Sequence, residues 1–316
     1  MGRQTPKRPA RKLAGGISFV LAASDYPTRY IDLIVPNEPG GAMDTINRCY
    51  KDKVEKILGQ PIVYTHKPGA SGAIGIQYAK GLKPDGYSLV AGNPANMIVS
   101  PLSRTGTTNL NDFAPVCTLS YSPLIFVVSK DSPYKTMRDF VEAAKTKKMK
   151  IASTGTMGTN HIIMVAFTKT AGFEPIYMPF GSSAAAMTAV LGGHADMTLC
   201  SPSGVEAQLR ILAVGDNIRA ETFPEVPTLK ESGYPFSRAP SYASLWAPKD
   251  TPREIVDKIY GAYKRALEEN KEEITKRVHG AGQIPFVFGP EKLMELYLDA
   301  AEFYEKEVPK KGATTK

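Results

Sequence analysis

Two stretches of the chain combine residue types suited to gripping an anion. The first is VPNEPGGAMD at residues 35–44, which offers Asn37, Glu38, Pro39, Gly40, Gly41 and Asp44 between an apolar run and a helical pattern. The second is STGTMGTNH at residues 153–161, with Thr154, Gly155, Thr156, Met157 and His161 in an equivalent setting. At a helix start the first N–H groups lack intrahelical partners and the positive end of the helix dipole points outward. A glycine-rich strand-to-helix loop is therefore a ready anion site. Either loop alone would pass for an ordinary tight connection. Two of them facing each other would hold a small carboxylate, with the neutral groups of Asn93, Asn96, Ser182, Ser183 and Ser201 between them. Neither loop contains lysine or arginine to neutralise a heavily charged ligand.

Signatures of catalysis are missing. GASGA at residues 69–73 fails the GxSxG nucleophile pattern at its last glycine, and there is no GxxxxGK[ST] or GxGxxG. His161 reads as a structural or cleft-wall residue and Asp196 as the entry to a strand. His66, His161, His194 and His279 are scattered without metal-ligand spacing, so no metal or other cofactor is expected. Cys49, Cys117 and Cys200 lie far apart among apolar neighbours and read as buried free thiols.

These loops require an α/β scaffold. Strand-length apolar runs alternate with amphipathic segments, which points to parallel strands in two similar cycles over residues 26–120 and 125–235. Helical patterns occupy 44–58, 71–81, 137–146, 158–171 and 184–192, and a mostly helical, charged tail follows residue 252. A strand at 242–247 would return the chain to the first lobe. The expected division is 26–122 plus 245–316 for lobe 1 and 123–244 for lobe 2, with a cleft between two crossings.

The 316 residues carry a net charge of +8, of which residues 1–24 contribute +5 through Arg3, Lys7, Arg8, Arg11 and Lys12 with no acid. The remaining +3 is too mild to suggest nucleic acid. A basic start, a short uncharged apolar stretch and small residues thereafter have the layout of an export signal over residues 1–25. The expected mature protein is periplasmic and monomeric.

Taken in order, VPNEPGGAMD, LGQPIVY (58–64), KPGASGAIG (67–75), KPDGYSL (83–89) and NDFAPV (111–116) resemble the Bug or TctC family, the extracytoplasmic receptors of tripartite tricarboxylate transporters. LGGHAD (191–196), FPEVPTLKESG (223–233) and APKDTP (247–252) continue the likeness, which runs over roughly residues 26–300. The resemblance implies a two-lobed periplasmic-binding-protein fold of the Venus-flytrap, type II-like kind, without catalysis. It also implies membrane transporter subunits as partners, and a ligand carboxylate held between residues 36–44 and 154–161. Two departures narrow the ligand. The family's PYKG appears as Pro179-Phe180-Gly181-Ser182, and Ala189 stands where amino-acid-binding members often carry aspartate. Both favour a mono- or dicarboxylate, aliphatic or aromatic, without an amino group. Asn37 and Glu38 replace small apolar residues, and Glu38 is either solvated or a reader of a ligand hydroxyl. The rival functions are an α/β enzyme acting on a small carboxylate or phosphate in the same cleft, and a ligand sensor feeding a membrane kinase.

Overall fold

The computed structural model describes residues 25–103, 108–154, 159–202, 205, 207–216, 219–234 and 241–307. All but the last residue of the expected export signal, and Gly155, Thr156 and Met157 of the second loop, lie outside the described residues.

The chain opens with β1 (Ile31–Val35), α1 (Ala42–Leu58), β2 (Ile62–His66), α2 (Ala73–Lys80) and β3 (Ser88–Gly92). A π-helical turn at Ala95–Val99 and the short α3 (Ser100–Ser103) lead to β4 (Phe113–Ser122). The second set is β5 (Ile125–Ser129), α4 (Met137–Ala144), β6 (Lys150–Thr154), α5 (Thr159–Ala171), β7 (Ile176–Phe180), α6 (Ser183–Leu191), β8 (Met197–Cys200) and β9 (Leu209–Val214). The chain then returns through β10 (Ser241–Pro248), α7 (Arg253–Glu269), α8 (Lys271–Gly280), β11 (Ile284–Pro285) and α9 (Pro290–Glu307).

The strands form two sheets, ordered β11-β4-β10-β3-β1-β2 and β7-β6-β8-β5-β9. The residues of β1 and β3 are almost continuously apolar and buried because helices cover both faces of a parallel segment. The edge strand β7 is half exposed and carries Pro179, which an edge tolerates. β10 joins the first sheet from Ser241 onward, so that sheet takes in residues 241–244, which the expected division gave to lobe 2.

The purely parallel expectation needs correction, since both sheets are mixed. β10 runs antiparallel to β3 and β4, and β5 runs antiparallel to β8 and β9. Topology supplies the reason. A strand that arrives directly from the other lobe enters at the crossing edge and must run away from it, against strands that end there.

The register shows where that edge lies. Gly92 at the end of β3 pairs with Ser244 near the start of β10, and Ser122 at the end of β4 pairs with Ser241. Across the crossing, Ile125 at the start of β5 pairs with Cys200 at the end of β8 and Val214 at the end of β9. The carboxyl ends of the parallel strands in both lobes therefore lie on the crossing side. That is where ligands collect in open α/β sheets.

The lobes are joined by more than two chain crossings. One apolar cluster runs from Ile34 and Val90 through Phe126 and Phe167 to Leu293 and Tyr297 of α9. The Tyr121 hydroxyl on β4 donates to the Asp216 carboxylate just past β9, both groups buried. The N–H of Gly215 donates to the carbonyl of Leu124 at 2.7 Å. These contacts pack the two lobes together beside the crossing edge.

Candidate functional site

The first-lobe half of the site is a stack of three loops. Loop 36–41 follows β1, residues 67–72 follow β2, and residues 93–96 follow β3. Their close packing depends on glycine. A β-carbon at Gly75 would lie 2.7 Å from Pro36 Cβ and 2.8 Å from the Lys67 carbonyl oxygen. At Gly72, where φ is +89°, it would lie 2.7 Å from Asn96 Cβ. The KPGASGAIG stretch thus lets one loop settle on the other two.

The α1 start shows what loop 36–41 does with its donors. Asp44 is 2% exposed. Its carboxylate accepts from the Gly40 N–H at 3.0 Å, Arg48 Nε at 2.8 Å and His66 Nε2 at 3.0 Å. Burial pushes its pKa up, but Arg48, the Gly40 N–H and His66 outweigh burial and hold it below the usual carboxylate range. The Gly41 N–H donates to the Glu38 carbonyl at 3.2 Å. Gly40 and Gly41, expected as ligand donors, thus spend their N–H groups inside the loop, and Asp44 supplies the helix start with an anion of its own. The helix ladder begins with the Thr45 N–H, which donates to the Gly41 carbonyl at 2.9 Å. The N–H groups of Ala42, Met43 and Asp44 precede it, and these are the donors the α1 start has to offer. Glu38 and Pro39 are exposed at the loop tip, and Asn37 is half-buried with its Oδ1 enclosed.

Asn93 and Asn96 bracket the π-helical turn reciprocally. The Asn96 N–H donates to Asn93 Oδ1 at 3.0 Å, and the Asn93 N–H donates to Asn96 Oδ1 at 2.9 Å. Asn96 is 1% exposed. The sequence reading included Asn96 only as a neutral filler; its signal was the Asn-x-x-Asn spacing directly after a strand.

In the second lobe Ser153, next to last in β6, is buried, and its hydroxyl meets His161 Nδ1 at 3.2 Å. The His161 ring packs edge-on to Tyr177, and burial lowers its pKa, which favours the neutral imidazole. The Asn160 side chain donates to the Leu199 carbonyl at 3.0 Å and fastens the α5 start to β8. Thr154 ends β6 beside this start. Ser182 caps α6, its hydroxyl accepting the Ala185 N–H at 3.2 Å, and Ser183 opens that helix, half-buried. Ser201 follows β8, also half-buried. The carboxyl-end edge of this lobe therefore carries hydroxyls and neutral donors.

Ala189 requires a different reading. It is buried in an apolar cluster with Ile125, Ala152 and Cys200. Packing accounts for alanine there, so the missing aspartate says nothing about an amino group in the cleft. All three cysteines are free and buried, and burial pushes the Cys200 thiol up to about 12. No group of residues able to hold a metal occurs among the described residues. A depression of about 910 Å³ lined by Lys145, Lys147, Lys148 and Lys169 lies at the amino ends of β6 and β7, away from the loops.

The match to known proteins agrees with this geometry. Residues 46–303 match the tripartite tricarboxylate transporter family receptor, TctC. A Cupriavidus necator protein described as "UPF0065 protein in gbd 5'region" is 33% identical over 258 residues, 78% of this chain and 77% of that protein. A TctC solute-binding protein from Polaromonas superposes with a TM-score of 0.80 at 30% identity, covering 90% of this chain and all but 1% of the other, since 99% of that chain is matched. Two Rhodopseudomonas palustris proteins share the fold at 24% identity. They are MatC with bound malate (TM-score 0.72, 90% of this chain and 100% of the other) and Rpa4515 with adipate (TM-score 0.75, 89% and 97%). The two-lobed architecture, the loops at facing strand ends and the family match lead to one assignment: this chain belongs to the TctC family of solute-binding receptors.

Proposed function

We propose that the protein is a periplasmic receptor that captures a small organic mono- or dicarboxylate between its lobes and delivers it to membrane subunits of a tripartite tricarboxylate transporter. The observation that carries this reading is the character of the facing strand ends. They offer helix-start N–H groups, amides and hydroxyls, and the buried Asp44 carboxylate there is balanced by Arg48 and His66. Such a surface favours an anion without paying for an uncompensated charge. The malate and adipate held by the two fold neighbours are dicarboxylates of the same size class.

The engagement of the titratable groups supports binding without chemistry. Asp44 is committed to its partners, and His161 is kept neutral against Ser153. Both groups hold a loop or a helix start in place, a role that fits binding. The acid-free basic start of the chain supports export, and no described helix is long and apolar enough to cross a membrane. In this reading the lobes move as two bodies, residues 26–122 with 241–316 and residues 123–240, and the protein acts as a monomer.

Calorimetric titration with mono-, di- and aromatic carboxylates, paired with small-angle scattering, tests the proposal. Micromolar binding of one such carboxylate with a fall in radius of gyration is expected, because each lobe supplies half the site. Binding of an amino acid with every simple carboxylate silent would overturn the ligand class. Tight binding without compaction would favour a preformed pocket and the enzyme reading.

A further inference from the structure

Helix α9 packs against β4 and the Ala95–Val99 turn in lobe 1 and against α5 in lobe 2. Its inner face carries Tyr297 and Tyr304, both fully enclosed in the apolar cluster that the lobes share. They stand about two turns apart on one side of the helix. Their hydroxyls fare differently. The Tyr297 hydroxyl lies 2.7 Å from Ser244 Oγ, which donates to the Gly92 carbonyl at 2.9 Å and accepts from Trp246 Nε1 at 2.8 Å. All of these groups belong to lobe 1, and Gly92 directly precedes the Asn93 turn of the half-site. The Tyr304 hydroxyl lies instead beside that of Thr159, the first residue of α5, which offsets part of the rise that burial gives its pKa. Yet Tyr304 Oη and Thr159 Oγ1 are both enclosed, and neither completes a hydrogen bond among the described residues. The bond within lobe 1 is made; the bond between the lobes is not. Native proteins rarely leave buried hydroxyls in that state.

Taking the receptor reading as its basis, we propose that closure of the lobes on a carboxylate completes a hydrogen bond between Tyr304 and Thr159. Tyr304 is then a positioning residue, acting through Thr159 on the α5 start. One helix spans both halves of the site, rooted by Tyr297 beneath the Asn93 turn and fastened by Tyr304 to the helix that carries His161. The free form holds two unsatisfied hydroxyls, and the closed form relieves them, which biases the equilibrium toward closure when ligand is present. The contribution therefore shows in ligand affinity and not in the stability of the free protein. No contact between Tyr304 and the ligand is needed.

The test compares the full-length mature chain with its Tyr304→Phe and Thr159→Val variants and the double variant. Each is melted without ligand and titrated calorimetrically with L-malate, succinate, adipate, butyrate and benzoate. Tyr304→Phe removes an unsatisfied atom from the free form, so its melting temperature should stay level or rise. Its affinity for the tightest-binding acid should nevertheless fall about five- to tenfold, the worth of one buried hydrogen bond. Thr159→Val should weaken binding similarly, and the double variant no further, because both substitutions delete the same bond. A merely structural tyrosine would lower melting temperature and affinity together. A free-state melting temperature several degrees lower in Tyr304→Phe would show the hydroxyl already bonded, directly or through a buried water, and would overturn the proposal. Wild-type affinity in Tyr304→Phe, or additive losses in the double variant, would overturn it too. If the wild type binds none of these acids, the receptor reading falls and this proposal with it; acids bound equally by wild type and Tyr304→Phe sink this proposal alone.

Discussion

The two halves of the site prepare their helix starts for an anion by opposite means. In the first lobe, α1 begins over a buried carboxylate, Asp44, tied to the Gly40 N–H, Arg48 and His66. In the second lobe, α6 is capped by the neutral Ser182 hydroxyl, and α5 begins beside Ser153 and a His161 whose burial favours the uncharged ring. The first device fixes loop shape with charge and keeps the net field small. The second holds its shape with neutral hydrogen bonds, and α6 has no acid in its first turn to oppose the dipole's positive end. The first lobe therefore reads as the rigid, shape-selecting half, and the second as the half that attracts charge.

The largest expected effect breaks the rigid half outright. Gly75→Val puts a branched side chain against Pro36 Cβ and the Lys67 carbonyl, where even a β-carbon would sit at 2.7 and 2.8 Å. Overpacking against backbone should cost about 3 kcal/mol or slightly more of stability and abolish binding. Urea denaturation measures it, and a change under about 1 kcal/mol would show that the loops do not pack as described.

Asp44→Asn removes the charge but keeps the shape, and so separates the two functions of the carboxylate. Its partner Arg48 is half exposed, so solvent screening limits the loss to about 1–2 kcal/mol. The pH dependence carries a definite sign. Asp44 has its folded pKa lowered. Its contribution is complete above the unfolded carboxylate value near 3.9 and is lost as pH falls through the folded value. The wild type should lose its advantage over Asp44→Asn in that acid range, as read from denaturation curves between about pH 2 and 6.

Ser182→Ala tests the neutral cap. Loss of the bond from the Ala185 N–H should cost about 1 kcal/mol of stability, with a modest loss of ligand affinity. An equal effect on affinity from Asp44→Asn and Ser182→Ala would erase the contrast between the halves.

The smallest effect is expected at His161. Its folded pKa is lowered by burial, so the folded state resists protonation. The wild type should be fully stable above the unfolded value near 6.5 and lose a fraction of a kcal/mol as pH falls through the window between that value and the lower folded one. His161→Gln should flatten the curve between about pH 5 and 7. A wild-type curve already flat there would show that the ring is solvated.

Much of the scaffold was legible in the chain because its signals are local. The apolar run at 31–35 is β1, the pattern at 137–146 contains α4 over Met137–Ala144, and the break at Ser122-Pro123 separates β4 from β5. The π-helical turn at Ala95–Val99 was not legible, since its Asn93–Asn96 bracket is a pairing of backbone and side chain with no hydrophobic period. The two-residue β11 was equally silent, being defined only by its pairing with β4.

The site divides in the same way. Residue types and order alone determined that a strand would give way to a helix within residues 36–44 and within 153–161, and that neither stretch carries lysine or arginine. Glycine, proline and a capping acid dictate backbone shape within a few residues. Only the tertiary structure decided what those loops spend their hydrogen bonds on. His66 lies 22 positions from Asp44 and reaches it because β2 pairs with β1 in parallel register, Val35 beside His66. That register lets His66 share the Asp44 charge with Arg48, while the Gly40 donor goes to Asp44 four residues on. Which buried polar atoms stay without a partner among the described residues, Asn37 Oδ1 and Asn96 Nδ2 among them, depends on packing in space and not on order in the chain.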